Sequence, residues 1–331
     1  MTINEFPAYR LHAGVDGGRP EGRVEQIRVE DLSPGDTLVK VAYAGLNYKD
    51  ALAMAGIGRI VRDYPRIGGI DLSGTVVHSA DPGLRPGQEV AVHGFGIGVD
   101  HDGGYAHYAR VRHEWVMPLP EGIGLREAAA IGAAGYSAAL SLHWMEHCGL
   151  APDRGPVLVT GATGGVAGVA IDILDGRGYT VCAMSGKPAA HDYLRGIGAH
   201  VVEAPPDLAG ASRPLASARW AGVIDSVGGA MLAHALAAVK PEGVVAALGN
   251  AGGGELPTTV MPFILRGVKL LGINANSPMP LRREVWGKLA REYRPRHSDR
   301  MARVIDLPQL PATLQSLLDR GHIGRTVVRF S

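Results

Sequence analysis

Residues 157–170 read V-L-V-T-G-A-T-G-G-V-A-G-V-A. The pattern predicts a buried strand that breaks through a glycine turn into a helix. Such a turn lets backbone N–H groups and the positive end of a helix dipole approach a phosphate closely. The strict G-x-G-x-x-G spacing is absent in every register. The nearest fit is A-x-G-x-x-A on Ala162, Gly164 and Ala167, with further glycines at 161, 165 and 168. Gly164 is the glycine that lets the backbone reach a pyrophosphate, and alanine is tolerated at the third position. No G-K-[ST] closes the turn, which argues against a P-loop. The candidate phosphate contacts are therefore Thr163, Gly164, Gly165 and Val166.

The surroundings explain why the turn lies halfway along the chain. Residues 1 to about 122 read as short strands and turns, among them T-L-V-K-V-A-Y-A-G-L, D-L-S-G-T-V-V-H and Q-E-V-A-V-H-G. From Leu125 to His147 an alanine- and leucine-rich run predicts a helix, closed by Gly149. Strands and helices then alternate as far as V-K-L-L-G-I, the pattern of βαβ units on a parallel sheet. The strand-like I-G-R-T-V-V-R-F at the end is expected to return to the first domain. We therefore expect an α/β chain: a β-barrel-type domain over 1–122 and 300–331, with a doubly wound, Rossmann-type domain inserted over 123–299.

The end of the second strand of the inserted unit discriminates between nicotinamide cofactors. An NAD site places Asp or Glu about twenty residues past the glycines, on the ribose 2′-OH. Here T-V-C-A-M runs into Ser185-Gly186-Lys187, with no acid. A hydroxyl and an ammonium suit a 2′-phosphate, so NADPH is expected over NADH. Asn250, after V-V-A-A-L-G, falls at the carboxyl edge of the sheet, where ligands of such sheets bind.

Composition narrows the class. With 331 residues, 46% hydrophobic and 20% charged, and a net charge of +1, the chain has no global pull toward nucleic acid or anionic membrane. The start has no basic segment followed by an apolar core, and no apolar run is long enough to span a bilayer. Two cysteines, Cys148 and Cys182, are too few for a disulfide framework. A cytoplasmic protein acting on a small molecule is expected.

Beyond the glycine turn, the stretches G-L-N-Y-K-D-A-L-A, G-I-D-L-S-G-T-V, V-C-A-M-S-G-K, W-A-G-V-I-D-S-V-G-G, L-P-T-T-V-M-P-F-I-L-R and I-G-R-T-V-V resemble the medium-chain dehydrogenase/reductase superfamily. The likeness runs from about residue 40 to the C-terminus. It is strongest to the zinc-free, quinone-oxidoreductase-like branch that includes bacterial NADPH-dependent acryloyl-CoA reductases. One departure is Ala167, where the family usually has glycine. The resemblance implies a GroES-like first domain brought against the nicotinamide at Asn47 and Tyr48. It also implies a place for Arg325 close to the cofactor, and a homodimer joined at the edge strand Val268–Ile273. Asn47 is then expected to orient, and Tyr48 to bond the substrate oxygen or donate a proton as well as touch the cofactor. Lys49-Asp50 reads as a local ion pair at a helix start, and Asp71 as a partner for backbone or arginine.

Where the zinc enzymes of the superfamily carry metal ligands, this chain has Asn47 and Ile70, and two cysteines cannot make a four-cysteine lobe. No metal is expected. His143 and His147, with Cys148 beside them, read as part of a packed helix rather than as ligands. Such a site suits an activated alkene, which takes hydride at the β-carbon while charge moves to a conjugated carbonyl oxygen. Acryloyl-CoA or a close relative leads, with a quinone or general enone as the alternative. A non-enzymatic, crystallin-like NADPH binder is a third reading, disfavoured by the absence of a basic-aromatic strip. Short-chain dehydrogenases require Tyr-x-x-x-Lys, and no tyrosine here has lysine four residues later. Arg59, Arg62 and Arg66 are candidates to meet the phosphates of CoA, although arginines in such a loop are more often solvated.

Overall fold

The computed structural model describes residues 5–208 and 214–330. It begins with a hairpin in which β1 (Phe6–His12) pairs antiparallel with β2 (Glu21–Ile27). The alternating run of Thr37–Gly45 becomes β3, and α1 (Tyr48–Ala55) follows at once. Gly56 ends α1 in the left-handed region at φ 71°, where a Cβ would also lie 2.6 Å from Pro20. The short β4 (Arg66–Ile67) joins β1, and β5 (Asp71–Ser79), β6 (Glu89–His93), β7 (Tyr108–Val111) and β8 (Met117–Pro118) follow. Their inward residues, among them Val39, Val41, Leu72, Val90, Val92 and Val111, form one apolar core.

The alanine-rich run folds into α2 (Leu125–His147), but it is not one unbroken helix as the sequence suggests. Gly132 interrupts it at φ 47°, ψ −155°. A Cβ at that point would lie 2.5 Å from the Asp71 carboxylate and 2.9 Å from the Arg325 guanidinium. The helix breaks to make room for a buried charge pair.

Next come β9 (Val157–Val159), α3 (Gly165–Gly176), β10 (Val181–Met184), α4 (His191–Gly196) and β11 (Val201–Glu203). After them lie β12 (Trp220–Asp225), α5 (Gly229–Ala237), β13 (Val239–Ala247), α6 (Met261–Arg266) and β14 (Lys269–Gly272). The six strands form a wholly parallel sheet in the order β11-β10-β9-β12-β13-β14. That is the Rossmann order, and its winding direction reverses between β9 and β12. The central strands β9, β10 and β12 are buried on both faces, which is why they read as continuous apolar runs.

Helices α7 (Met279–Leu289) and α8 (Ser298–Met301) lead to β15 (Ala302–Asp306), α9 (Leu310–Leu318) and β16 (Arg325–Arg329). β16 lies parallel to β15 and antiparallel to β3, completing a seven-stranded sheet of order β15-β16-β3-β5-β6-β8, with β7 also on β3. Two units result. The first is Met1–Ala133 with Asn276–Arg283 and Ala302–Ser331; the second is Ala134–Ala275 with Glu284–Met301. Among the described residues no helix is long and apolar enough to cross a membrane.

Candidate active site

In the first unit the site is built around Asn47, the residue before the first turn of α1. Its backbone is extended and its amide group is held at both ends. Nδ2 donates to the Asp71 Oδ2 at 2.9 Å, and Oδ1 accepts from the Arg325 Nη1 at 3.1 Å. Asp71 also accepts the backbone N–H of Gly45 at 2.7 Å and of Ala133 at 2.9 Å. Arg325 donates from Nε to the Ala130 carbonyl at 2.9 Å, from Nη1 to Leu46 at 2.7 Å and from Nη2 to Ala129 at 3.3 Å. Its guanidinium stands 3.8 Å from the Asp71 carboxylate, and both side chains are buried. Asp71 thus bonds both backbone and an arginine. The guanidinium of Arg325 thus holds Asn47 and the backbone around it.

Tyr48 differs from its neighbour. It opens α1 with 36% of its surface exposed, and its hydroxyl has no partner among the described residues. That leaves the phenol free to donate to a ligand. The expected Lys49–Asp50 ion pair does not form: Lys49 faces solvent and Asp50 turns inward. The reason is local, because two amides need an acceptor there. Asp50 takes the N–H of Asn47 at 2.9 Å and of Ile70 at 3.0 Å, clamping the start of α1 to the loop before β5. Burial, and then the nearby charge of Asp71, raises the Asp50 carboxyl to about 7. The Tyr105 hydroxyl, donating to the Gly45 carbonyl at 3.2 Å, is held well above its ordinary pKa, chiefly by burial.

In the second unit the glycine turn lies at the carboxyl ends of β9 and β12. Gly164 precedes α3 without any side-chain cap, and the first bond inside the helix runs from the Gly168 N–H to the Gly164 carbonyl at 2.9 Å. The N–H groups of Gly165 and Val166 therefore have no carbonyl behind them and point out from the helix start. Thr163 is buried and Gly164 is exposed. Ala167 is buried inside α3, so its extra methyl packs into the protein. At the end of β10 the Ser185 hydroxyl accepts the Lys187 N–H at 3.1 Å, which leaves its own proton to donate. Lys187 is half-buried, and desolvation lowers its ammonium pKa. Gly186 and Asn250 are exposed. Open amides at a helix start, then a hydroxyl and an ammonium at the next strand, suit a dinucleotide with a 2′-phosphate.

Other candidates separate by their contacts. Arg66 is drawn inward, donating to the Ser33 hydroxyl at 2.8 Å and to Asp102 at 3.3 Å, whereas Arg59 and Arg62 are exposed. His143 lies 3.8 Å from Glu284, and the rings of His143 and His147 stand edge-on to Trp144. Among the described residues no group of three or more His, Cys, Asp or Glu side chains is placed to hold a metal ion.

A barrel-type unit and a doubly wound unit with an open phosphate cradle define the class of two-domain pyridine-nucleotide oxidoreductases. The Alcohol dehydrogenase GroES-like domain family matches residues 33–121, and the Zinc-binding dehydrogenase family matches residues 165–292. The chain is 44% identical over 325 residues, 98% of both chains, to the acrylyl-CoA reductase AcuI of Ruegeria pomeroyi. It is 45% identical over 312 residues to the putative quinone oxidoreductase YhfP of Bacillus subtilis, covering 92% of this chain and 94% of that one. The YhfP crystal structure with NAD bound matches at a TM-score of 0.95, with 43% identity over 99% of this chain and all of that one. The Escherichia coli YhdH structure with bound NADPH also matches at 0.95, with 41% identity over 98% of this chain and 100% of that one. The chain belongs to the medium-chain dehydrogenase/reductase family, in the quinone-oxidoreductase-like branch that contains the acrylyl-CoA reductases.

The buried Asp50 makes stability depend on pH. Its folded-state pKa, about 7, lies above the ordinary 3.8. Its contribution is therefore fully present below about pH 4 and is lost as pH rises through 7. Urea unfolding at pH 5 and pH 8 should show the parent protein losing stability at the higher pH. Asp50→Asn should lack at least a tenfold share of that change in the unfolding constant, about 1.4 kcal/mol. The same pH dependence in both proteins would refute this assignment.

Proposed function

We propose that this protein is an NADPH-dependent reductase of an alkene conjugated to a carbonyl, converting acryloyl-CoA to propanoyl-CoA. The observation that carries this reading is the 44% identity to an acrylyl-CoA reductase over 98% of both chains. The 45% identity to a putative quinone oxidoreductase supports a second reading, reduction of a quinone or a general enone.

Bound NADPH would supply a hydride to the β-carbon. The chain's part is to bind, orient and stabilise. The amides of Gly165 and Val166, with Thr163 and Gly164 in the same turn, hold the pyrophosphate. Ser185, Gly186 and Lys187 receive the 2′-phosphate, and Asn250 flanks the cofactor at the sheet edge. Tyr48 donates its hydroxyl hydrogen to the carbonyl oxygen as charge arrives there. Asn47, locked by Asp71 and Arg325, fixes the backbone from which Tyr48 projects. A fixed donor needs no reorganisation at the moment of reaction, which is where such stabilisation gains its strength.

Cofactor choice rests on the hydroxyl and ammonium at the end of β10. NADPH should bind at least tenfold more tightly than NADH, about 1.4 kcal/mol, and Lys187→Ala should erode that preference. Equal affinities in the parent protein would overturn it.

The reaction is tested by supplying NADPH deuterated at C4 with acryloyl-CoA. Label should appear on the β-carbon and a solvent proton on the α-carbon, and Tyr48→Phe should turn over about tenfold more slowly or worse. Label on the carbonyl carbon, or reduction of quinones but not of acryloyl-CoA, would sink the leading reading.

We also propose a homodimer through β14, the edge of the six-stranded sheet. An open edge is a pairing liability, and Val260, Ile264 and Leu265 around α6 are each at least 60% exposed. Sedimentation at concentrations well above micromolar should give twice the mass of one chain. A single-chain mass would refute the dimer.

A further inference from the structure

The topological switch point carries a buried polar strap that the cofactor contacts do not use. Thr160 follows β9 and Asp225 ends β12, and neither exposes any surface. The Thr160 hydroxyl donates to the Asp225 Oδ1 at 2.6 Å, while the other carboxylate oxygen accepts the Gly228 N–H at 2.7 Å. Ser226 closes the strap from both sides: its N–H donates to the Thr160 hydroxyl oxygen at 3.2 Å and its hydroxyl to the Thr160 carbonyl at 3.0 Å. The packing has no slack. Gly161, the next residue of the turn, has φ 58°, and a Cβ there would lie 2.6 Å from the Ser226 hydroxyl. Gly249 approaches the Ser226 backbone so closely that a Cβ would lie 2.2 Å from its carbonyl oxygen, and the Gly252 N–H donates to the Val227 carbonyl at 2.7 Å. The loops after β9 and β12 are thus tied through one carboxylate and one hydroxyl, and the loop after β13 is joined to them by a backbone bond. No basic side chain bonds Asp225 among the described residues. An unpaired anion deep beneath a phosphate cradle would be a poor choice for charge, so its value lies in its acceptor geometry.

We infer that Asp225, through Thr160, is a positioning residue that sets the glycine turn so that the amides of Gly165 and Val166 converge on the cofactor pyrophosphate. This rests on the cofactor reading above. It separates two halves of dinucleotide recognition, with the 2′-phosphate held at β10 and the pyrophosphate held at a turn strapped to β12. A strap of this kind acts on the second half alone.

The test measures binding of NADPH and of adenosine 2′-monophosphate, which has no pyrophosphate, to the full chain. Asp225→Asn keeps the shape and weakens the acceptor; Thr160→Val removes the hydroxyl, and Thr160→Ser restores it. Asp225→Asn and Thr160→Val should each raise the NADPH dissociation constant tenfold or more, leaving adenosine 2′-monophosphate within twofold of the parent. Thr160→Ser should bind NADPH like the parent. NADPH affinity within twofold of the parent in both disruptive variants would overturn the role. So would parallel loss of both ligands, which would make the strap a general structural element. If the parent itself does not bind NADPH, the cofactor reading falls first and this role with it.

Discussion

A single guanidinium organises the first unit. Arg325 meets Asp71 where neither side chain has access to water, and burying two charges costs several kcal/mol per ion unless every hydrogen-bonding group is met. Here they are met, by carbonyls from the end of β3 and the start of α2 and by the Asn47 amide. Lysine has no planar fork and could not reach these acceptors together. The arrangement also dictates glycine at two neighbours. A Cβ at Gly45 or at Gly132 would fall 2.5 Å from the Asp71 carboxylate. Helix α2 breaks, β3 closes without a side chain, and Asn47 is immobilised, all because one charge pair occupies this space.

The second unit solves a similar problem without a cation. Burial raises the Asp225 carboxyl above its ordinary range, opposed by bonds from Thr160 and from backbone amides. Each unit thus places a buried carboxylate directly behind the residues read as functional, and each uses it to hold backbone. The donors read as functional, the Tyr48 hydroxyl in one unit and the amides of Gly165 and Val166 in the other, are borne on buried foundations. Precision of that kind is what orientation-dependent chemistry requires.

Much of this was legible in the sequence because the signals are local. The glycine turn, the alternating βαβ texture and the missing acid after β10 each lie within a short window, and the parallel sheet follows them. The return of the last strand to the first domain could also be read from its apolar run. What escaped was long-range. Nothing in K-D shows that Asp50 would turn inward to accept the Ile70 amide, and Gly132 looks like an ordinary alanine-run glycine until Asp71 is seen against it. Helices α7 and α9 are hard to read from sequence because prolines sit near their starts, where the absent N–H costs nothing. The Thr160–Asp225 strap joins residues 65 apart in the chain, and its only sequence signal is an acid ending an otherwise apolar strand.

The position of Arg325 in the chain has a consequence for biosynthesis. Strand β16 lies between β15 and β3, so β3 lacks one neighbour until the final strand has been made. The same strand delivers the cation that bonds Asn47, and with it the charge partner of Asp71. The whole of the second unit is therefore synthesised before the first can close, although the first begins earlier. A ribosome makes the chain from one end, and domains generally fold as units as they emerge. Until β16 has been made, the unit that emerges first lacks one neighbour of β3 and the cation of its buried ion pair.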